Sequence, residues 1–365
     1  MQRVIVSVIN DLVTDQRVDK VCATLVNMDY EVILIGRILS SSLPLNRKYK
    51  TVRMKLLFNK GFLFYAEYSL RLFLKLFFSK KTILLSNDLD TLLPNFIISK
   101  LFNKKLVYDS HELFTEIPEL INRPRTQEIW LTIEKLILPK IKNCYTASEA
   151  IANYYKNNYS SEFKVVRNVP YQNNNGQNGS FSFDIENKKI ILYQGAVNIG
   201  RGIDLMIDAM QYVENAIFVI IGEGDVLDEM KQRVKELKLE NCVKFLGKIS
   251  PKKLQQLTPL ADLGISLEED RGLNYRFALP NKLFDYIQAK IPVIVSDLPE
   301  MKKVVKKYNI GTILYNRSSE NLRQQINEML DKEKQNWQNS LSKAAKELIW
   351  EKEQDKLKNI FNNLK

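Results

Sequence analysis

Histidine is almost missing from this chain: among 365 residues there is one, His111. Cysteine is scarce as well, and Cys22, Cys144 and Cys242 are odd in number and far apart. Together these gaps exclude the ligand set of a zinc site and the spacing of a disulfide framework. Long uncharged apolar runs are also lacking. The most apolar stretch, GFLFYAEYSLRLFLKLFF (61–78), approaches a membrane span in length, but Glu67, Arg71 and Lys75 interrupt it at every fourth residue. The opening MQRVIVSVIND turns polar too soon for a signal peptide and reads as a first strand, so a cytoplasmic protein is expected. There is no zinc-finger spacing, no RNP-like aromatic strand and no clear helix-turn-helix, and no nucleic-acid partner is expected.

What is present is cationic and globular. A formal charge of +12 and a pI near 9.3 call for an anionic partner, and charge by itself does not choose between a phosphorylated substrate and an anionic lipid. The length favours two domains. The first half alternates strand-like runs (RVIVSVI, EVILIG, TILLSND, KLVYDSHE, NCYTAS) with helical patterns, the βαβ rhythm of a parallel sheet covered on both faces. After RNVP (167–170) a stretch rich in Asn, Gly and Ser reads as a linker. A second series follows: KIILYQG, AIFVIIG, CVKFLG, ADLGISL, PVIVSD and GTILY. Residues from about 337 onward form one or two amphipathic helices.

The most informative segment is LPNKLFDY (279–286), followed by the strand-like IPVIVSD. A proline suits the first turn of a helix, and the first N–H groups of a helix have no partner within it, so such a start offers donors and partial positive charge to an anion. Lys282 adds a full charge and Asp285 can accept from ribose hydroxyls, so Pro280, Asn281, Lys282 and Asp285 read as a pyrophosphate-and-ribose seat. Upstream, in order, stand LYQGAVNIGRGID (192–204), FVIIGEGD (218–225) and VKFLGKISPKKL (243–254).

With this ordered set the chain resembles the GT-B glycosyltransferases of family 4, the glycosyl transferases group 1 type, over nearly its whole length. The resemblance implies an α/β fold of two Rossmann-like parallel-sheet domains facing across a cleft. The expected divisions are an acceptor-binding domain at 1–168, a linker at 169–187, a nucleotide-sugar-binding domain at 188–334, and C-terminal helices at 335–365 returning to the first domain. It further implies transfer of a sugar from a nucleoside-diphosphate sugar to a hydroxyl, with retention and without a metal, onto a glycan or lipid-linked acceptor of surface polysaccharide or glycolipid assembly. A sugar-nucleotide epimerase on the same fold and a degenerate, non-catalytic sugar-nucleotide binder are the alternatives.

The resemblance assigns roles to residues as follows. Arg201, in the loop after Gly195, matches the cation that touches the diphosphate; a second Arg usual after that glycine is Ala196 here, and Lys282 is expected to supply the charge. Of two acids with seven residues between them, Asp285 keeps the second place while Phe277 occupies the first, with Glu268 or Glu269 as substitutes. His111 matches a histidine that holds the donor sugar, and Glu223 and Gly247 match loops that bracket the base. The first strand ends without the usual glycines, so Asp11, Asp15 and Arg17 are expected near the acceptor or diphosphate, against a helix-capping role for Thr14 or Asp15. Asp88 and Asp90 look like a metal-binding pair, but carboxylates at a helix start need no metal. The 61–78 helix, flanked by Lys60, Lys80 and Lys81, either meets an anionic membrane through residues 60–81 or packs on its own sheet with its charged face to water.

Overall fold

Valine, isoleucine and leucine fill the strands because both faces of a parallel sheet are covered. In β1 (Arg3–Asp11), for example, Val4, Ile5 and Val6 are fully buried. The computed structural model describes residues 2–13, 15–172, 179–332 and 334–364. The chain divides into two units, Met1–Asn168 with Lys352–Lys365, and Val169–Glu351.

In the first unit β1 is joined by β2 (Glu31–Ile38), β3 (Lys50–Lys55), β4 (Ile83–Asn87), β5 (Lys105–Ser110), β6 (Asn143–Thr146) and β7 (Phe163–Val165) in the order β3-β2-β1-β4-β5-β6-β7, all parallel. The order reverses between β1 and β4, where a doubly wound sheet leaves the strand ends open. Right-handed crossovers put the helix Gln16–Val26 on one face of the sheet. The helices Gly61–Phe78, Leu89–Leu101 and Pro124–Ile137, which connect strands progressing the other way, share the opposite face. Asp15 caps the Gln16–Val26 helix, accepting from Val18 N at 3.0 Å; Thr14 lies outside the described residues.

The second unit repeats the plan with β8 (Lys189–Gln194), β9 (Ala216–Ile221), β10 (Val243–Gly247), β11 (Leu263–Ser266), β12 (Val293–Ser296) and β13 (Gly311–Leu314), ordered β10-β9-β8-β11-β12-β13 and parallel throughout. Here the reversal falls between β8 and β11. The segment expected as a linker falls in this unit, and its residues 173–178 lie outside the described residues.

The expected return of residues 335–365 to the first domain is corrected in its starting point. Leu341 and Ala344, on the helix Gln335–Glu347, are fully buried in the second unit's core, and Gln288 Nε2 donates to Ala345 O at 2.8 Å. Only Lys352–Lys365 joins the first unit. Leu357 and Phe361 on the helix Trp350–Asn362 are fully buried there, and the Phe361 ring meets Tyr30 edge-on at 5.9 Å. Glu353, 1% exposed, accepts from Arg167 Nε at 2.9 Å and from Arg167 N at 3.1 Å. Truncating a buried aromatic to alanine costs roughly 3–5 kcal/mol. Phe361→Ala is therefore expected to lower the unfolding free energy of the first unit by that order, read as a fall in its denaturation midpoint; an unchanged midpoint contradicts the docking of this helix.

Candidate active site

In the second unit three cations gather at the carboxyl ends of β8, β11 and β12. Glu268, just past β11, is fully buried, and ionising it there needs compensation. Lys282 Nζ donates to Glu268 Oε1 at 2.8 Å and Ser266 Oγ donates to Oε2 at 2.7 Å, while Arg201 Nη1 stands 3.7 Å from Oε1. Burial would raise the Glu268 pKa, but Lys282, Ser266 and Arg201 overcome it and the carboxyl is held below its ordinary value. Lys282 sits on the second residue of the helix Asn281–Gln288, with Pro280 at the capping position, and its ammonium lies 4.0 Å from the Tyr193 ring centroid. Gly195 passes over that ammonium at a φ of 134°, and a Cβ there would come within 3.4 Å of Lys282 Cε.

Arg201 has a different balance. Its guanidinium lies over Tyr275 at 5.1 Å and reaches Glu268 only beyond hydrogen-bond distance, and its Nε is buried without a hydrogen-bond partner. A buried donor left unpaired is costly, so this N–H is suited to an incoming anion oxygen. Asp285 accepts from Gln194 Nε2 at 2.8 Å, and Gln194 Oε1 accepts from Thr258 Oγ1 at 2.9 Å, which tethers Asp285 at the end of β8. Asn281 and Glu223 are exposed. The glycine loops interlock: Gly222 N donates to Gly247 O at 3.0 Å, and a Cβ on Gly222 would fall 1.8 Å from Gly195 O. Phe277 follows the short helix Leu273–Arg276, and Glu268 is the acid that the structure puts beside the cations. Arg317, which the sequence reading missed, donates to Ser296 Oγ at 2.7 Å and to Leu267 O at 3.0 Å. Its only signal was an arginine closely following the last strand.

In the first unit the strand ends carry a buried ion chain. Arg17, expected near the acceptor or diphosphate, is 4% exposed and holds Asp109 through Nη2 at 2.8 Å and Nε at 3.1 Å, with Nη1 donating to Val166 O. These donors are taken up inside the fold. Asp11 likewise faces Arg53 at 3.1 Å and accepts from Ser42 Oγ and Val13 N. His111 bridges two carboxylates, Nε2 to Asp109 at 3.0 Å and Nδ1 to Asp88 at 3.2 Å, and its backbone N donates to Asp88 Oδ1 at 2.8 Å.

Asp88 does begin a helix, at φ 58°, but its side chain turns to His111 instead of capping. Asp90 is buried; among the described residues no group of three or more His, Cys, Asp or Glu could hold a metal ion. Burial alone would lower the His111 pKa; Asp88 and Asp109 raise it to about 9. Burial pushes Asp88 up to about 7, while Arg17 and His111 outweigh burial at Asp109 and bring it to about 2. An imidazolium donating from both nitrogens has no lone pair, so at neutral pH His111 is not a general base.

The two doubly wound sheets are those of the GT-B fold. Sucrose-phosphate synthase from Thermosynechococcus elongatus matches with a TM-score of 0.82 at 14% identity, covering 100% of this chain and 99% of that one. HepE of Anabaena in complex with UDP-glucose matches at 0.75 and 14%, covering both chains fully. Residues 178–348 match the family model described as glycosyl transferases group 1. A curated relative, the chitobiosyldiphosphodolichol beta-mannosyltransferase of Candida albicans, is 26% identical over 146 residues, 38% of this chain and 31% of that protein. The match thus spans about a third of the length of the curated relatives.

Because the folded His111 value lies above the unfolded one, its charge stabilises the fold fully below about pH 6.5 and that contribution is lost as pH rises through about 9. An NMR titration of the sole histidine is expected to show a midpoint near 9, moving toward the ordinary value in Asp109→Asn. A wild-type midpoint near the ordinary histidine value contradicts the double carboxylate clamp.

Proposed function

We propose that this protein transfers a sugar from a nucleoside-diphosphate sugar to a hydroxyl acceptor, with retention, in the assembly of cell-surface polysaccharide or glycolipid. The observation that carries the reading is the buried, unpaired Arg201 Nε beside a Lys282 fixed by Glu268. Two cations share one carboxylate, which leaves net positive charge and a free donor where a diphosphate would sit. The Asn281–Gln288 helix start offers further N–H groups, and the bond from Gln194 to Asp285 supports the reading of Asp285 as an acceptor for ribose hydroxyls.

In the reaction the acceptor oxygen bonds to the sugar's anomeric carbon as the bond from that carbon to the diphosphate oxygen breaks. The acceptor proton passes to the departing phosphate, in keeping with a His111 that has no lone pair to take it. The charge developing on the diphosphate is stabilised by Arg201 and Lys282, so the proposal needs no metal. A nucleotide-sugar donor is supported by the UDP-glucose complex of HepE, and a lipid-linked acceptor by the name of the Candida albicans relative. Retention rests on the family resemblance.

Removing one donor aimed at a developing oxyanion lowers turnover by roughly 10²-fold. Arg201→Gln is expected to show that loss in acceptor-dependent nucleotide release while keeping its circular dichroism. Wild-type turnover in this variant contradicts the site, and a product of inverted anomeric configuration contradicts retention alone.

A further inference from the structure

The outer face of the first unit's helices is apolar where charge was expected. On Gly61–Phe78, Phe64, Tyr68, Leu72 and Leu76 pack inward at every fourth residue. Glu67, Arg71 and Lys75 form a stripe along one flank of the helix. Glu67 is turned in, pairing with Arg71 and accepting from Leu57 N and Phe58 N. The outermost residues are Leu63, Leu70, Leu74 and Phe77, at 53%, 61%, 46% and 41% exposure, with Phe62 at 75% and Phe78 at 81%. A charged face toward water, one of the two arrangements the sequence allowed, is therefore not what this helix presents.

The stripe does not stand alone. The neighbouring helix Leu89–Leu101 exposes Leu93, Ile97 and Leu101 at every fourth residue, and Phe102 just after it meets Phe77 edge-on at 5.3 Å. The next helix, Pro124–Ile137, adds Ile129 and Leu136, 52% and 58% exposed. These three helices share one face of the sheet. Large apolar residues exposed on neighbouring helices, as here, mark an interaction surface more often than isolated ones do. Between residues 57 and 104 the chain carries seven Lys or Arg against three acids, and of those acids Glu67 is turned in, Asp88 holds His111 and Asp90 is buried. Lys80, Lys81, Lys100 and Lys104 cluster at the helix C-termini, where Lys81 Nζ lies 3.8 Å from the Phe102 ring centroid.

We propose that this three-helix face docks on an anionic lipid bilayer, its leucines and phenylalanines entering the acyl boundary and its lysines meeting headgroup phosphates. The cationic excess along the first two of these helices opposes a second copy, which would bring lysine against lysine, and it matches a negative surface; the third helix carries the exposed Glu128 beside Ile129. Among the described residues no helix is long and apolar enough to cross a membrane, so the contact is peripheral. The inference deepens the proposed function by putting the enzyme at the surface where a lipid-linked acceptor lies.

The test is flotation of the full chain with phosphatidylcholine vesicles, with and without about one-third phosphatidylglycerol, in the absence of donor and acceptor. Wild type is expected to float with the anionic vesicles and not with the neutral ones. Leu70→Gln/Leu74→Gln/Phe78→Gln, all at exposed positions, is expected to lose at least ~10-fold in partitioning, and Lys75→Gln/Lys80→Gln/Lys100→Gln to lose the anionic preference. Arg201→Gln should float as wild type does, which separates this test from that of the transferase reading. Absence of flotation, undiminished flotation of the triple leucine–phenylalanine variant, or concentration-dependent dimerisation through this face without vesicle binding would overturn the proposal.

Discussion

A carboxylate with no exposed surface can stay ionised only if cations are brought to it, and Glu268 imposes that condition on the second unit. Stripping one partner from such a buried pair costs on the order of 3–5 kcal/mol. The helix at Asn281 must therefore start where its second residue can reach Glu268, Gly195 passes beside the ammonium at a positive φ that side chains rarely adopt, and Arg201 is drawn to the same oxygen. The first unit meets the same condition with Asp109, held by Arg17 on one side and His111 on the other. Both ion clusters lie where a doubly wound sheet opens its strand ends.

The two clusters differ in what they leave unsatisfied. In the first unit Arg17 is bonded to Asp109 and Val166 O, and both His111 nitrogens are engaged, so the chain fixes the geometry of the strand ends. In the second, Arg201 keeps an unpaired Nε next to an ammonium already locked in place. In the proposed transfer, charge fixed before the substrate arrives needs no reorganisation when a leaving diphosphate forms, and such preorganisation is the main route by which a site of this kind accelerates a reaction. The first unit's outer helices present something different, an apolar face with lysines at its edge.

The strands and the glycine-marked loops were legible in the sequence because alternating strand and helix runs and residues forced to positive φ leave local traces. Gly195, Gly222 and Gly247 all adopt such angles. Lys282 and Asp285 were legible from their place at a helix start. Side-chain engagement was not: Arg17 finds Asp109 at a separation of 92 residues and Arg317 finds Leu267 at 50, distances at which no local pattern operates. Charge recurring every four residues at 67, 71 and 75 suggested the solvent face of its helix. Only the packing shows that those residues flank an apolar ridge. The start of the returning segment moved from 335 to 352 for a similar reason, since an amphipathic helix does not declare which core it covers.

The measurement that tests this account most directly is incubation of the purified chain with a panel of UDP-, GDP- and ADP-sugars in chelator, with and without membrane lipid extract, scoring released nucleotide. The account predicts release from one donor, dependent on the extract and indifferent to the chelator. Release that requires added metal, or none from any donor despite binding of the nucleotide, would contradict it.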